Sequence, residues 1–76
     1  MERTKGNISG LVQELRKYYS KGTRVVLVKM EDKYAPPIGT EGTVQLVDDE
    51  GTIHVNWDNG SCLGVVLGED ICRKIK

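Results

Sequence analysis

The stretch "TIHVNWDNGSCLGVVL", residues 52–67, decides the fold. Ile53, Val55 and Trp57 alternate with Thr52, His54 and Asn56. That period of two is the mark of a strand with one buried face. Asn59-Gly60 is the strongest short hairpin signal, a type I′ turn in which both central residues take positive φ. The chain then returns through "SCLGVVL", residues 61–67, as a further strand. Pairing about this turn sets Trp57 opposite Cys62 and His54 opposite Val65. Cys62 then shares a face with Trp57 and Val55, and a Cys–His dyad is disfavoured by parity. Trp57 reads as a core residue whose indole N–H needs a partner. Asn59 and Gly60 read as the pin that sets the register of the hairpin.

Working outward, the pattern N-terminal to this hairpin changes period. Residues 8–19, "ISGLVQELRKYY", place Ile8, Leu11, Val12, Leu15, Tyr18 and Tyr19 on one helical stripe. Asn7 or Ser9 suits its start, and Gly22 its end. "TRVVLVKM", 23–30, is β-branched and reads as the first strand. "EDKYAPPIGTEG" follows as a loop, since Pro36-Pro37 excludes helix. Strands are expected at 43–48, 52–58, 61–67 and 71–75, with a turn at "DDEG". In the last strand, Ile71 and Ile75 share a register on either side of Arg73.

These elements predict a mainly β domain: a small five-stranded, partly open SH3-like barrel with one N-terminal amphipathic helix. Residues 1–7 form a tail, 8–21 the helix and 22–76 the barrel. The helix stripe requires a partner, because an isolated helix of this length is marginal in water.

Charge is polarised although the formal net charge is zero. Residues 1–30 carry a net of +5, from Arg3, Lys5, Arg16, Lys17, Lys21, Arg24 and Lys29 against Glu2 and Glu14. Residues 31–60 carry a net of −6. Such a distribution can steer a charged partner or a second copy. "MERTKGN" lacks the apolar core of a signal peptide, and no apolar run approaches membrane-spanning length. A cytoplasmic chain with reduced Cys62 and Cys72 is expected, the alternative being a Cys62–Cys72 bridge if two neighbouring strands carry them.

The order G-T-x-V (Gly22, Thr23, Val25), P-x-G-x-x-G-x-V (Pro37, Gly39, Gly42, Val44), D-D-x-G (Asp48, Asp49, Gly51) and V-x-W-D-N-G-S (Val55, Trp57 to Ser61) resembles a family of small bacterial barrels, domain-of-unknown-function 4314. The resemblance covers residues 22–75 and leaves the helix outside the shared core. The same hairpin is similar to the Mind bomb-type substrate-binding module and other SH3-like barrels. The resemblance implies a non-catalytic fold, in a family associated with bacteria, phages and mobile elements; it implies no particular ligand.

The residues agree that an enzyme is not expected. His54 is the only histidine and reads as a solvent-facing strand residue. One His and two separated Cys lack any metal-ligand spacing, and Asp48, Asp49 and Glu50 read as a charged hairpin tip. No cofactor is expected. Surfaces remain. SH3-like barrels bind beside the loop after the first strand, which here offers Tyr34 with Pro36 and Pro37. Asp32 and Asp58 are expected to join them and favour a basic peptide. An alternative face gathers Arg16, Lys17, Lys21 and Arg24 near Tyr18 and Tyr19, which suits nucleic acid. The expected function is a small binding module for a protein partner or for itself. A nucleic-acid accessory module is the alternative, and a phage or mobile-element inhibitor of a host defence system a second one.

Overall fold

The computed structural model describes residues 2–75, with side chains from residue 10 onward. Helix α1 spans Glu2–Tyr18. It therefore runs through Asn7 and Ser9 rather than being capped by them, takes in most of the expected tail, and stops short of residue 21. The expected roles of Ile8, Arg3 and Lys5 fall outside the described side chains. After Tyr18 the chain turns: Thr23 N donates to the Ser20 carbonyl at 3.0 Å and Gly22 adopts φ +93°. Gly22 N then reaches the Val44 carbonyl at 2.8 Å, which ties the turn to the sheet.

Four strands follow: β1 Arg24–Lys29, β2 Glu41–Val47, β3 Ile53–Trp57 and β4 Ile71–Lys74. They form one antiparallel open sheet in the order β3-β2-β1-β4. Residues 61–67 are not a fifth strand. They meet β3 at Ile53 and Val65, which exchange two backbone bonds of 2.9 and 2.8 Å. Between that bridge and the turn, the Leu63 carbonyl accepts the Trp57 indole N–H at 2.9 Å. In this register Leu63 would face Val55, so a side chain has taken the acceptor that a ladder would use.

The turn itself corrects the expected register. Gly60 N donates to Trp57 O at 2.9 Å, and Trp57 N to Ser61 O at 2.8 Å. Only Gly60, at φ +95°, has positive φ; Asn59 does not. This is the three-residue loop, a type I turn closed by a left-handed glycine, not a type I′ turn. Trp57 stands opposite Ser61, one residue from the expected pairing, and a one-residue slip exchanges the two faces. Cys62 is accordingly exposed rather than packed with Trp57. The β2–β3 turn repeats the geometry: Gly51 N bonds Asp48 O and Asp48 N bonds Thr52 O, both at 3.0 Å, with Gly51 at φ +87°.

The core is Val12 from the helix with Val25, Leu27, Val44, Val47, Ile53, Val55, Trp57 and Val65. A bulge between Val44 and Leu46 shifts the alternation, so Val47 turns inward and Leu46 outward. On β4 it is Cys72, opposite Leu27, that packs toward the core, while Ile71 is half exposed. Cys62 and Cys72 are both free thiols.

Gly42 marks the tightest approach in the sheet. A Cβ there would lie 2.6 Å from Val55 Cγ1 and 2.8 Å from Trp57 Cε3. Its role is thus to make room for the Trp57 ring rather than to allow a turn. The helix docks over the β2–β3 turn, with Leu15 and Val12 nearest Gly51. Arg16 fastens it, donating from Nε to the Val47 carbonyl at 2.9 Å and pairing with Asp49 at 2.8 Å. The helix therefore covers its own sheet with its C-terminal half. No helix among the described residues is long and apolar enough to cross a membrane.

Candidate binding surfaces

The loop between β1 and β2 is shaped by its own side chains. Asp32 Oδ1 accepts the Tyr34 N–H at 2.8 Å, and the Asp32 carbonyl accepts Ala35 N–H at 2.9 Å. This Asx turn lifts the Tyr34 ring into solvent, where it is 72% exposed. Lys33 Nζ sits 5.3 Å from the ring centroid. Pro37 and Ile38 are exposed beside it, but Pro36 is buried and packs inward. Asp32, Tyr34 and Pro37 thus share one exposed loop, and Pro36 supports it from below.

Asp58 is committed elsewhere. Arg24 grips it with two bonds, Nη1 to Oδ1 at 2.9 Å and Nη2 to Oδ2 at 2.6 Å. The same guanidinium reaches Glu41 Oε1 at 3.2 Å and Thr43 Oγ1 at 3.0 Å. Arg24 holds the Asp58 carboxyl below the usual carboxylate range, and Asp58 in turn raises the Arg24 pKa. The fork links β1 to the Trp57–Ser61 turn. Of the expected basic face, Arg24 and Arg16 already hold carboxylates, and Lys17 stands 4.0 Å from Glu14. Lys21 is exposed.

His54 is not a bare strand residue. Its Nε2 lies 2.9 Å from Asp48 Oδ2, while Asp48 Oδ1 accepts the N–H groups of Glu50 and Thr52. These contacts lower the Asp48 pKa, the His54 bond contributing most. The pair braces the turn on which the helix rests. By parity Cys62 now falls on the His54 side of the sheet, yet His54 is already bonded to Asp48. Among the described residues no three His, Cys, Asp or Glu side chains could share a metal ion.

A surface that the sequence reading passed over lies between the end of α1 and residues 65–72. It is an open apolar groove of about 320 Å³, with Leu15, Tyr19, Val65, Leu67, Ile71 and Cys72 among its walls. Leu67 and Ile71 are each 50% exposed at its rim. Lys29, Glu69 and Asp70 are the charged residues of its lining. Burial pushes up both the Tyr19 hydroxyl and the Cys72 thiol pKa. Outside it, Lys74 Nζ sits 4.3 Å over the Tyr18 ring, whose edge meets Tyr19 at 4.7 Å between centroids.

The family model of a domain of unknown function, DUF4314, matches residues 8–75. The chain belongs to the DUF4314 family. No curated protein matches it. The match begins at residue 8, so the DUF4314 unit takes in most of the helix and not only the strands from residue 22. The groove is built from both parts and therefore lies wholly within that unit. Its sequence signal was "GED", 68–70, which breaks the chain between two apolar runs. Reading 61–67 as a regular strand hid the opening.

Proposed function

We propose that this DUF4314 domain is a non-enzymatic binding module, an open barrel of the SH3-like type from a bacterium or its mobile elements, which engages a protein partner in the cytoplasm. The observation that carries this reading is the groove between α1 and residues 65–72, whose rim leaves Leu67 and Ile71 half in water. Apolar area of this kind is removed from solvent at a gain of about 25 cal/mol per Å². The Tyr34–Pro37–Ile38 loop adds a second exposed apolar surface. Self-association is the same reading with a second copy as the partner.

The nucleic-acid alternative draws less support. Phosphate contacts need free cations. Arg16 and Arg24 are each paired with carboxylates of their own chain. Antagonism of a host defence system is one task that a binding module of this kind performs, and the identity of the partner decides it.

Affinity purification of the whole chain from its native host, followed by mass spectrometry, tests the reading. A protein recovered in stoichiometric amount, resistant to nuclease, supports it. Recovery of nucleic acid that is lost at moderate salt overturns it in favour of the alternative. Recovery of neither partner, with a monomeric molar mass in solution, ends it.

A further inference from the structure

We propose that the outer edge of β4 receives an extended acidic-apolar peptide as an added strand, with the peptide's apolar side chains seated in the groove beside it. This rests on the binding-module reading and names its site and ligand class.

The sheet ends at β4. Ile75 N donates to the Arg24 carbonyl at 2.9 Å, and Val26 stands opposite Arg73. Antiparallel alternation then directs the backbone groups of Arg73 toward β1 and those of Cys72 and Lys74 toward the open side. Residues 61–67 do not close that side. They are tied to Ile53 on their far edge and meet the start of β4 through a single bridge, Leu67 with Asp70. The groove occupies the resulting gap. A strand laid along β4 satisfies the open N–H and C=O groups of Cys72 and Lys74, and its alternate side chains meet Leu67 and Ile71.

Charge selects the occupant. Lys29 lies opposite Ile71 across the β1–β4 pair, and Arg73 and Lys74 are exposed along the edge. None of the three has an ion pair among the described residues. At the other end stand Glu69 and Asp70, the latter accepting the Val66 N–H at 2.9 Å. The complementary peptide carries aliphatic residues at its centre and carboxylates toward Arg73 and Lys74.

The test is selection of a displayed random decapeptide library on the whole chain, followed by amide-resolved NMR of the complex with the best synthetic peptide. Peptides pairing aliphatic residues with Asp or Glu should be enriched, and the Cys72 and Lys74 amides should gain protection on binding. The exposed double variant Arg73→Glu/Lys74→Glu, checked for an unchanged far-UV spectrum, should weaken the peptide about tenfold or more and shift selection toward basic sequences. Methylating alternate backbone nitrogens of the peptide should abolish binding. Enrichment of basic or neutral peptides overturns the proposal. So does protection confined to the Tyr34 loop, or a β4-to-β4 dimer that protects the same amides without peptide. If no peptide is selected while a native partner is still recovered by affinity purification, this edge is wrong and the binding-module reading stands. If no native partner is recovered and the chain is monomeric in solution, that reading falls independently of the peptide result.

Discussion

The Trp57 indole nitrogen donates to the Leu63 carbonyl oxygen at 2.9 Å, with the Trp57 side chain buried against β2. One bond satisfies the only polar atom of the ring and fixes where residues 61–65 run. Trp57→Phe removes the donor and strands the Leu63 carbonyl in a half-buried site. Urea unfolding should show a loss of about 1–3 kcal/mol. Trp57→Ala should cost about 3–5 kcal/mol. A Trp57→Phe variant as stable as the parent would show that the bond does not organise this segment.

Two glycines should respond oppositely to the same change. Gly42→Ala drives a methyl into Val55 Cγ1 and Trp57 Cε3, and also lies 2.9 Å from the Asn56 backbone oxygen, which cannot yield. A destabilisation of about 1–3 kcal/mol is expected. Gly10 lies in α1 with nothing within 4 Å of a Cβ. Gly10→Ala should therefore leave stability unchanged or raise it by up to about 1 kcal/mol. Thermal melts of the two variants beside the parent decide the matter.

The three-residue turn makes unequal demands on Asn59 and Gly60. Gly60→Ala forces a side chain into φ +95° and should cost about 1–2 kcal/mol. Asn59→Ala loses only the Oδ1 acceptor for the Ser61 N–H, worth about 0.5–1.5 kcal/mol. Asn59→Gly should bring no gain, because Asn59 carries no positive φ to relieve. A type I′ turn would instead favour glycine at both places, so a clear stabilisation by Asn59→Gly would contradict the turn described.

Acid should loosen the two hairpins. The Asp48 carboxyl is held below its ordinary pKa chiefly by His54 and then by the Thr52 N–H, and Asp58 by Arg24. A carboxylate with a depressed folded pKa contributes stability above its unfolded pKa of about 4, and that contribution disappears as pH falls through the folded value. Midpoints of urea unfolding should be flat from neutral pH down to about 5 and fall below about 4. The double variant Asp48→Asn/Asp58→Asn should be less stable at neutral pH and lose most of the acid-dependent slope.

The two thiols should differ in reactivity. Cys62 is exposed, whereas the Cys72 thiol is half-buried and its pKa is raised by desolvation. Alkylation at neutral pH should label Cys62 rapidly and Cys72 only slowly. Mass spectrometry of the partly labelled chain reads this directly. Equal labelling rates would mean that β4 does not hold Cys72 against the core.

Much of the fold was legible because local rules and the tertiary structure agreed. The alternation of Ile53, Val55 and Trp57 placed all three in the core. Of the expected stripe, Val12, Leu15 and Tyr19 pack against the core over β2 and the Gly51 turn, while Leu11 and Tyr18 stand half exposed. Gly22 was expected to end the helix, but α1 ends at Tyr18 and the left-handed Gly22 serves the Ser20–Thr23 turn that follows. The candidate loop was legible in part: Tyr34 stands in solvent, but Pro36 faces inward and Asp58 answers to Arg24, a residue 34 positions away.

What the sequence determined by itself is therefore element type and the inward set of the clean strands, since these follow from period and backbone preference. Register, closure and the groove were decided by tertiary structure. A loop one residue longer than the Asn59-Gly60 signal implied exchanged the faces of residues 61–64. The Trp57 indole took the Leu63 carbonyl and left those residues outside the sheet. Cys72 packs inward opposite Leu27, and the bulge between Leu27 and Lys29 sets Ile71 opposite Lys29 at the groove rim. Each depends on partners distant in sequence, and a pattern of apolar and polar residues carries no record of which distant acceptor a buried donor will find.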